Sequence, residues 1–231
     1  MRLRSTVTTA LVLTALVATP SLAAGKAAGK AAGKPAAKLA PSKPVSWTDP
    51  AGDANGLNDQ GGIAPVDPGS TSTPTSLASA DILSVTFARL DDGQKVLGLT
   101  VTMKLSAPPA AGTLYRVTGG AGNCTTFWFQ YAWTAGGTAV PVLRHNCSPS
   151  SSPTAAVSST VSMPIAAAVV GSSVVWTLKL SDLPEGVKLG SVLSPALGET
   201  RAIVGAAGQS ALTAPVIDQT ATQQVTYKIG Q

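Results

Sequence analysis

The chain has 231 residues, 44% apolar but only 12% charged, with two cysteines, one histidine and a formal net charge of +5. Such a balance suggests a polyanion binder until the charges are placed: seven of the sixteen Lys and Arg residues precede Val45, whereas all eleven acidic residues follow it. Residues 45–231 therefore carry −2, the basicity belongs to a tail, and a dedicated nucleic-acid-binding domain is excluded.

The first 23 residues read as a signal peptide. Arg2 and Arg4 give a positive start, Ala10 to Val17 is an apolar core too short to span a bilayer, and Ser21-Leu22-Ala23 supplies the small residues a signal peptidase reads. Cleavage is expected after Ala23, and no cysteine follows to take a lipid. No later apolar run approaches the ~20 residues of a transmembrane helix. Leu183-Pro184-Glu185-Gly186 starts like a sortase signal but lacks its ending and a hydrophobic tail. The expected location is secreted and extracellular, with association at the cell wall as its extension.

Residues 24–44 continue an Ala-Ala-Gly-Lys repeat, with Lys26, Lys30, Lys34 and Lys38 four apart. A helix would line these lysines up, but a glycine in every turn costs about 1 kcal/mol and the like charges repel. The segment reads as a disordered linker, extended by Pro35, Pro41 and Pro44. In composition it resembles linker-histone tails. For an exported chain the partner this implies is a cell-wall glycan or an anionic wall polymer; the alternative is a solubilising spacer.

Residues 45–231 form one expected domain, all-β, an antiparallel β-sandwich of jelly-roll or Ig-like type. Ile82 to Leu90 leads through Asp91-Asp92-Gly93, a hairpin signal, into Lys95 to Leu105, where Leu97, Leu99, Val101, Met103 and Leu105 alternate with small or polar residues. Further strands are expected over Thr113–Val117, Thr125–Trp133, Ala139–His145, Ala155–Val161, Ser173–Leu180, Arg201–Val204 and Gln224–Ile229. Pro164 to Val170 reads as a short helix with proline at its first position.

Cys124 and Cys147 are expected to form a disulfide, since an isolated pair in an exported chain far more often bridges than binds metal, and no C-x-x-C redox motif is present. Asn123-Cys124-Thr125 and Asn146-Cys147-Ser148 match the N-glycosylation pattern by accident of the bridge. Between the cysteines, period two puts Phe127, Phe129, Tyr131 and Trp133 on one side and Trp128, Gln130 and Ala132 on the other. With the first set as core, Trp128 and Gln130 face outward as a ligand-binding candidate, a platform for a sugar ring; the alternative is that a loop such as 148–154 covers them.

Asp49, Asp53 and Asp81 gather carboxylates near the first expected strand, which is what a hard cation such as Ca²⁺ requires, although Leu57 breaks an EF-hand reading. Asp and Gly clusters also serve ordinary turns. Asp49-Pro50-Ala51-Gly52-Asp53, a variable loop, then Asp81-Ile82 and a hairpin resembles the opening of the family-9 carbohydrate-binding and DOMON-like β-sandwich modules of secreted bacterial proteins. The resemblance covers about residues 46–105. It implies a sandwich with Ca²⁺ at Asp49, Asp53 and Asp81 and a glycan on one face or edge.

No catalytic residues are assigned. G-x-S-x-G and H-E-x-x-H motifs are absent, His145 sits beside the expected disulfide, and the two glutamates, Glu185 and Glu199, lie in Pro/Gly-rich stretches that read as connections. The expectation is a secreted non-catalytic β-sandwich protein binding a glycan or the cell wall, with a structural or interaction protein of the envelope, without a small ligand, as the alternative.

Overall fold

The computed structural model describes residues 37–52, 54, 78–122, 124–134, 136–147, 160–202, 216–220 and 225–231. Two antiparallel sheets pack face to face. The first has five strands in the order β1 (Val45–Thr48), β2 (Ile82–Asp91), β3 (Val96–Leu105), β9 (Ser173–Lys179) and β8 (Ala166–Val170). The second runs β11 (Val216–Gln219), β10 (Val192–Ala202), β4 (Thr113–Ala121), β5 (Cys124–Trp133), β6 (Ala139–Cys147) and β7 (Val161–Pro164), with β12 (Tyr227–Lys228) also pairing to β10. The antiparallel β-sandwich expected from the sequence is thus present.

Alternation fixes which side of each strand is core. Leu99, Val101, Met103 and Leu105 of β3 are buried against Tyr115 and Val117 of β4 and Phe127, Phe129 and Tyr131 of β5. Phe87 stacks on Trp47 in its own sheet and, across the interface, on Tyr227 of β12 and edge-on to Phe129 at 6.3 Å between ring centroids. Gly198 of β10 faces Val85 of β2 across the interface; a Cβ would stand 2.8 Å from Val85 Cγ2, so β10 needs a glycine there. At the β2–β3 turn, Gly93 takes φ +84°, Asp91 Oδ1 accepts its N–H, and Asp92 Oδ1 accepts those of Gln94 and Lys95. These contacts hold both carboxyls below the usual carboxylate range, Arg89 contributing most at Asp91.

Several elements differ from expectation. Pro164–Val170 is not a helix: Pro164 ends β7 and Ala166–Val170 is β8. Alanine favours a helix in isolation, but a tight Gly171-Ser172 turn, with Gly171 at φ +58°, folds β8 onto β9 and pairs Ala167 with Trp176 and Val169 with Val174. Glu199 is not in a connection but in the middle of β10, an 11-residue strand expected only from Arg201 onward. Pro195 and Gly198 read as breakers; the strand absorbs the first with a register shift between Ser194 and Leu197 and needs the second for close packing. β1 and β11 carry no strong pattern and were not expected. Residues 155–159, 203–204 and 224 of the expected strands lie outside the described residues, as does the expected signal peptide over residues 1–23.

The compact unit begins at Ala37, eight residues before the expected boundary. Leu39 donates its N–H to Gly93 O at 3.0 Å, Arg89 Nη2 reaches Ala40 O at 2.6 Å, and Gln231 Nε2 reaches Lys43 O at 3.3 Å. The end of the linker is thereby laid along the hairpin turn and the C-terminus.

Candidate functional site

Because Phe127, Phe129 and Tyr131 face the core, pleating turns Trp128 and Gln130 to the outer face of the second sheet, as the sequence predicts. The register then adds neighbours that the strand alone does not reveal. Arg116 stands opposite both Gln130 and Glu199, while Arg144 stands opposite Trp128. Arg201 lies two residues beyond Glu199 on the same side of β10. Three guanidinium groups, one carboxylate, one amide and one indole therefore share a patch spanning β10, β4, β5 and β6.

Trp128 is flanked by cations. The Arg116 guanidinium carbon is 4.7 Å from the indole centroid and that of Arg144 is 6.0 Å, contacts each worth about 0.5–2 kcal/mol. Glu199 receives Arg116 Nε on one oxygen and Arg201 Nη2 on the other at 3.0 Å. This triad is buried despite its outward side: Glu199 is 2% and Arg116 6% exposed, and Gln130 is 4% exposed. Burial pulls the Arg116 pKa down, and the Glu199 carboxylate opposes that pull. Glu199 does not satisfy the whole patch. Among the described residues, Arg116 Nη1, Arg144 Nε and Gln130 Oε1 are buried without a hydrogen-bond partner. Buried polar groups are nearly always paired, and leaving one unpaired costs about 1–3 kcal/mol.

The predicted disulfide is present. Cys124 and Cys147 are Cα partners at the open end of the β5–β6 hairpin, so the bridge closes the hairpin that carries Trp128, Gln130 and Arg144.

The aspartates behave differently. Asp81, 1% exposed, accepts the Gly52 N–H at 3.0 Å on each oxygen and the Ser106 hydroxyl on one of them. It pins the 49–52 turn to the start of β2 and the end of β3. Asp218, which the sequence did not single out, holds the Ile82 N–H on Oδ2 at 2.6 Å. Asp53 lies outside the described residues, and Asp49 stands just after β1. Among the described residues no three His, Cys, Asp or Glu side chains are grouped to hold a metal ion.

His145 lies on the inward side of β6, opposite Phe127 and Val161, with Nδ1 buried and without a hydrogen-bond partner among the described residues. Burial holds its pKa below the ordinary imidazole value. No described helix is long and apolar enough to cross a membrane.

Arg116 and Arg144 were missed by sequence reading although a signal existed. Leu114-Tyr115-Arg116-Val117 and Val142-Leu143-Arg144-His145 each place an arginine between residues expected to point inward. Glu199 had no such signal, because its strand was not recognised. Compared with protein-family models, curated proteins and solved structures, the chain matches none.

Proposed function

We propose that this protein is an exported, non-catalytic binding module that holds a glycan at the cell wall through the outer face of its second sheet, around Trp128 and Gln130. The observation that carries this reading is the set of buried, unpartnered polar atoms beside an indole on an outward face, an arrangement that costs stability unless something completes it. Supporting it are the leader, the lysine-rich segment suited to an anionic wall, and the resemblance of residues 46–105 to carbohydrate-binding modules. A glycan array probed with the protein and with Trp128→Ala tests it: selective binding should appear and weaken at least tenfold in the variant. The absence of any binder at millimolar sugar would sink it.

One observation favours a structural or interaction protein without a small ligand. Arg116 at 4.7 Å occupies space over the indole that a stacking sugar would need. In that reading Trp128→Ala destabilises the fold and alters no binding.

A further inference from the structure

The same arginine that obstructs simple stacking says what the patch recognises. Held against an aromatic ring, a guanidinium keeps its N–H groups available at its edge, because the ring contacts the plane and not the donors. Glu199 consumes Arg116 Nε and one Arg201 donor, leaving two buried donors, Arg116 Nη1 and Arg144 Nε, around one indole. Glu199 is shared by Arg116 and Arg201, and among the described residues Arg144 has no counter-charge. Next to these donors is an acceptor in need of a proton, Gln130 Oε1, directly opposite Arg116 in the register.

We propose that this patch receives an oxyanion bearing an adjacent hydroxyl: the anion satisfies Arg116 and Arg144 across Trp128, and the hydroxyl donates to Gln130. This rests on the reading that the face around Trp128 is the ligand surface, and it names the ligand's chemistry. A neutral sugar ring supplies hydroxyls but leaves the guanidinium charge unmatched. A bare anion matches the charge but gives Gln130 nothing. Acidic saccharides, whose carboxylate adjoins ring hydroxyls, and polyol phosphates of the wall both carry the required pair of groups. Charge-assisted hydrogen bonds to guanidinium are among the strong ones, and in a partly desolvated site one is worth about tenfold or more in affinity.

The test is calorimetric titration of the full chain with three probes of similar size: an oligouronate, a glycerol phosphate oligomer and a neutral oligosaccharide. Oligouronate, glycerol phosphate or both should bind at least tenfold more tightly than the neutral probe, and affinity should fall as salt rises. Preference for one of the two identifies carboxylate or phosphate as the source. Arg144→Gln should remove the advantage of the acidic probe, and Arg144→Lys should recover only part of it, because a lysine is a point charge without the planar fork. Equal binding of acidic and neutral probes, unchanged by Arg144→Gln but lost in Trp128→Ala, overturns the oxyanion proposal and leaves the binding face standing. No binding of any probe overturns both. The acidic-against-neutral comparison uses the unaltered chain, so it decides even where a variant fails to fold.

Discussion

The two outer faces of the sandwich obey the same alternation and hold opposite chemistry. On the first sheet, Ser46, Thr86, Thr102, Val175 and Ala168 form one continuous row across five strands, small and mostly hydroxylated. Their needs are met locally: Ser46 Oγ and Thr86 Oγ1 share a 2.7 Å hydrogen bond, and the charges on that face, Lys104 and Lys179, are exposed to solvent. The second sheet instead buries Glu199, Arg116 and Gln130 on its outer side and leaves polar atoms without partners. A sheet whose outer residues are self-sufficient is a skin, and one that retains buried, unmet polar groups has chemistry to offer.

The sharpest way to break this contrast is to cut the ion triad. Glu199→Ala leaves Arg116 buried without its counter-charge and should cost about 3–5 kcal/mol in urea unfolding. Thr102→Val on the opposite face should change stability by no more than about 0.5 kcal/mol. Comparable losses from the two would erase the distinction drawn here. Next in size is the bridge. Replacing Cys124 and Cys147 by alanine should cost about 3 kcal/mol by releasing the closed hairpin, and it should also weaken ligand binding, since Trp128 and Arg144 sit within that loop. A loss of stability with binding intact after correction for the unfolded fraction would show that the hairpin needs no bridge to present them.

The smallest effect is the pH response. Burial lowers the His145 pKa, so the unfolded chain takes up a proton where the folded one does not, and stability falls as pH drops below the ordinary imidazole value. Melting temperature should decline modestly between pH 7.5 and 5.5, and His145→Gln should flatten the curve. For Asp91 and Asp92, also lowered, the contribution persists above the ordinary carboxylate value and is lost only in stronger acid. A rise in melting temperature on mild acidification would contradict the His145 assignment.

What the sequence could reveal follows the range of the forces involved. Leu97 to Leu105 and Phe127 to Trp133 declared their faces because alternation is local, and Asp91-Asp92-Gly93 declared a turn because its hydrogen bonds span two or three residues. The Glu199–Arg116 pair was illegible because it joins strands distant in sequence, one of them disguised by Pro195 and Gly198. Asp81 was visible as a conspicuous carboxylate, but its partners, Gly52 and Ser106, came only with the fold. Ala166–Val170 shows propensity losing to pairing: three alanines with helical tendency extend, together with two strand-favouring valines, because Trp176 and Val174 lie alongside.

The hand-over at Ile165 carries one more implication. A single residue passes the chain from the edge of one sheet to the edge of the other, and its N–H bonds Pro141 O at 3.4 Å. At the other flank Trp47 Nε1 meets Thr220 Oγ1 at 3.3 Å, beside the Asp218 contact to Ile82. The sandwich is stitched along both sides, like an envelope sealed at its seams. These links close the two described flanks to an extended polymer, so the binding proposed above has to use an outer face and not the space between the layers.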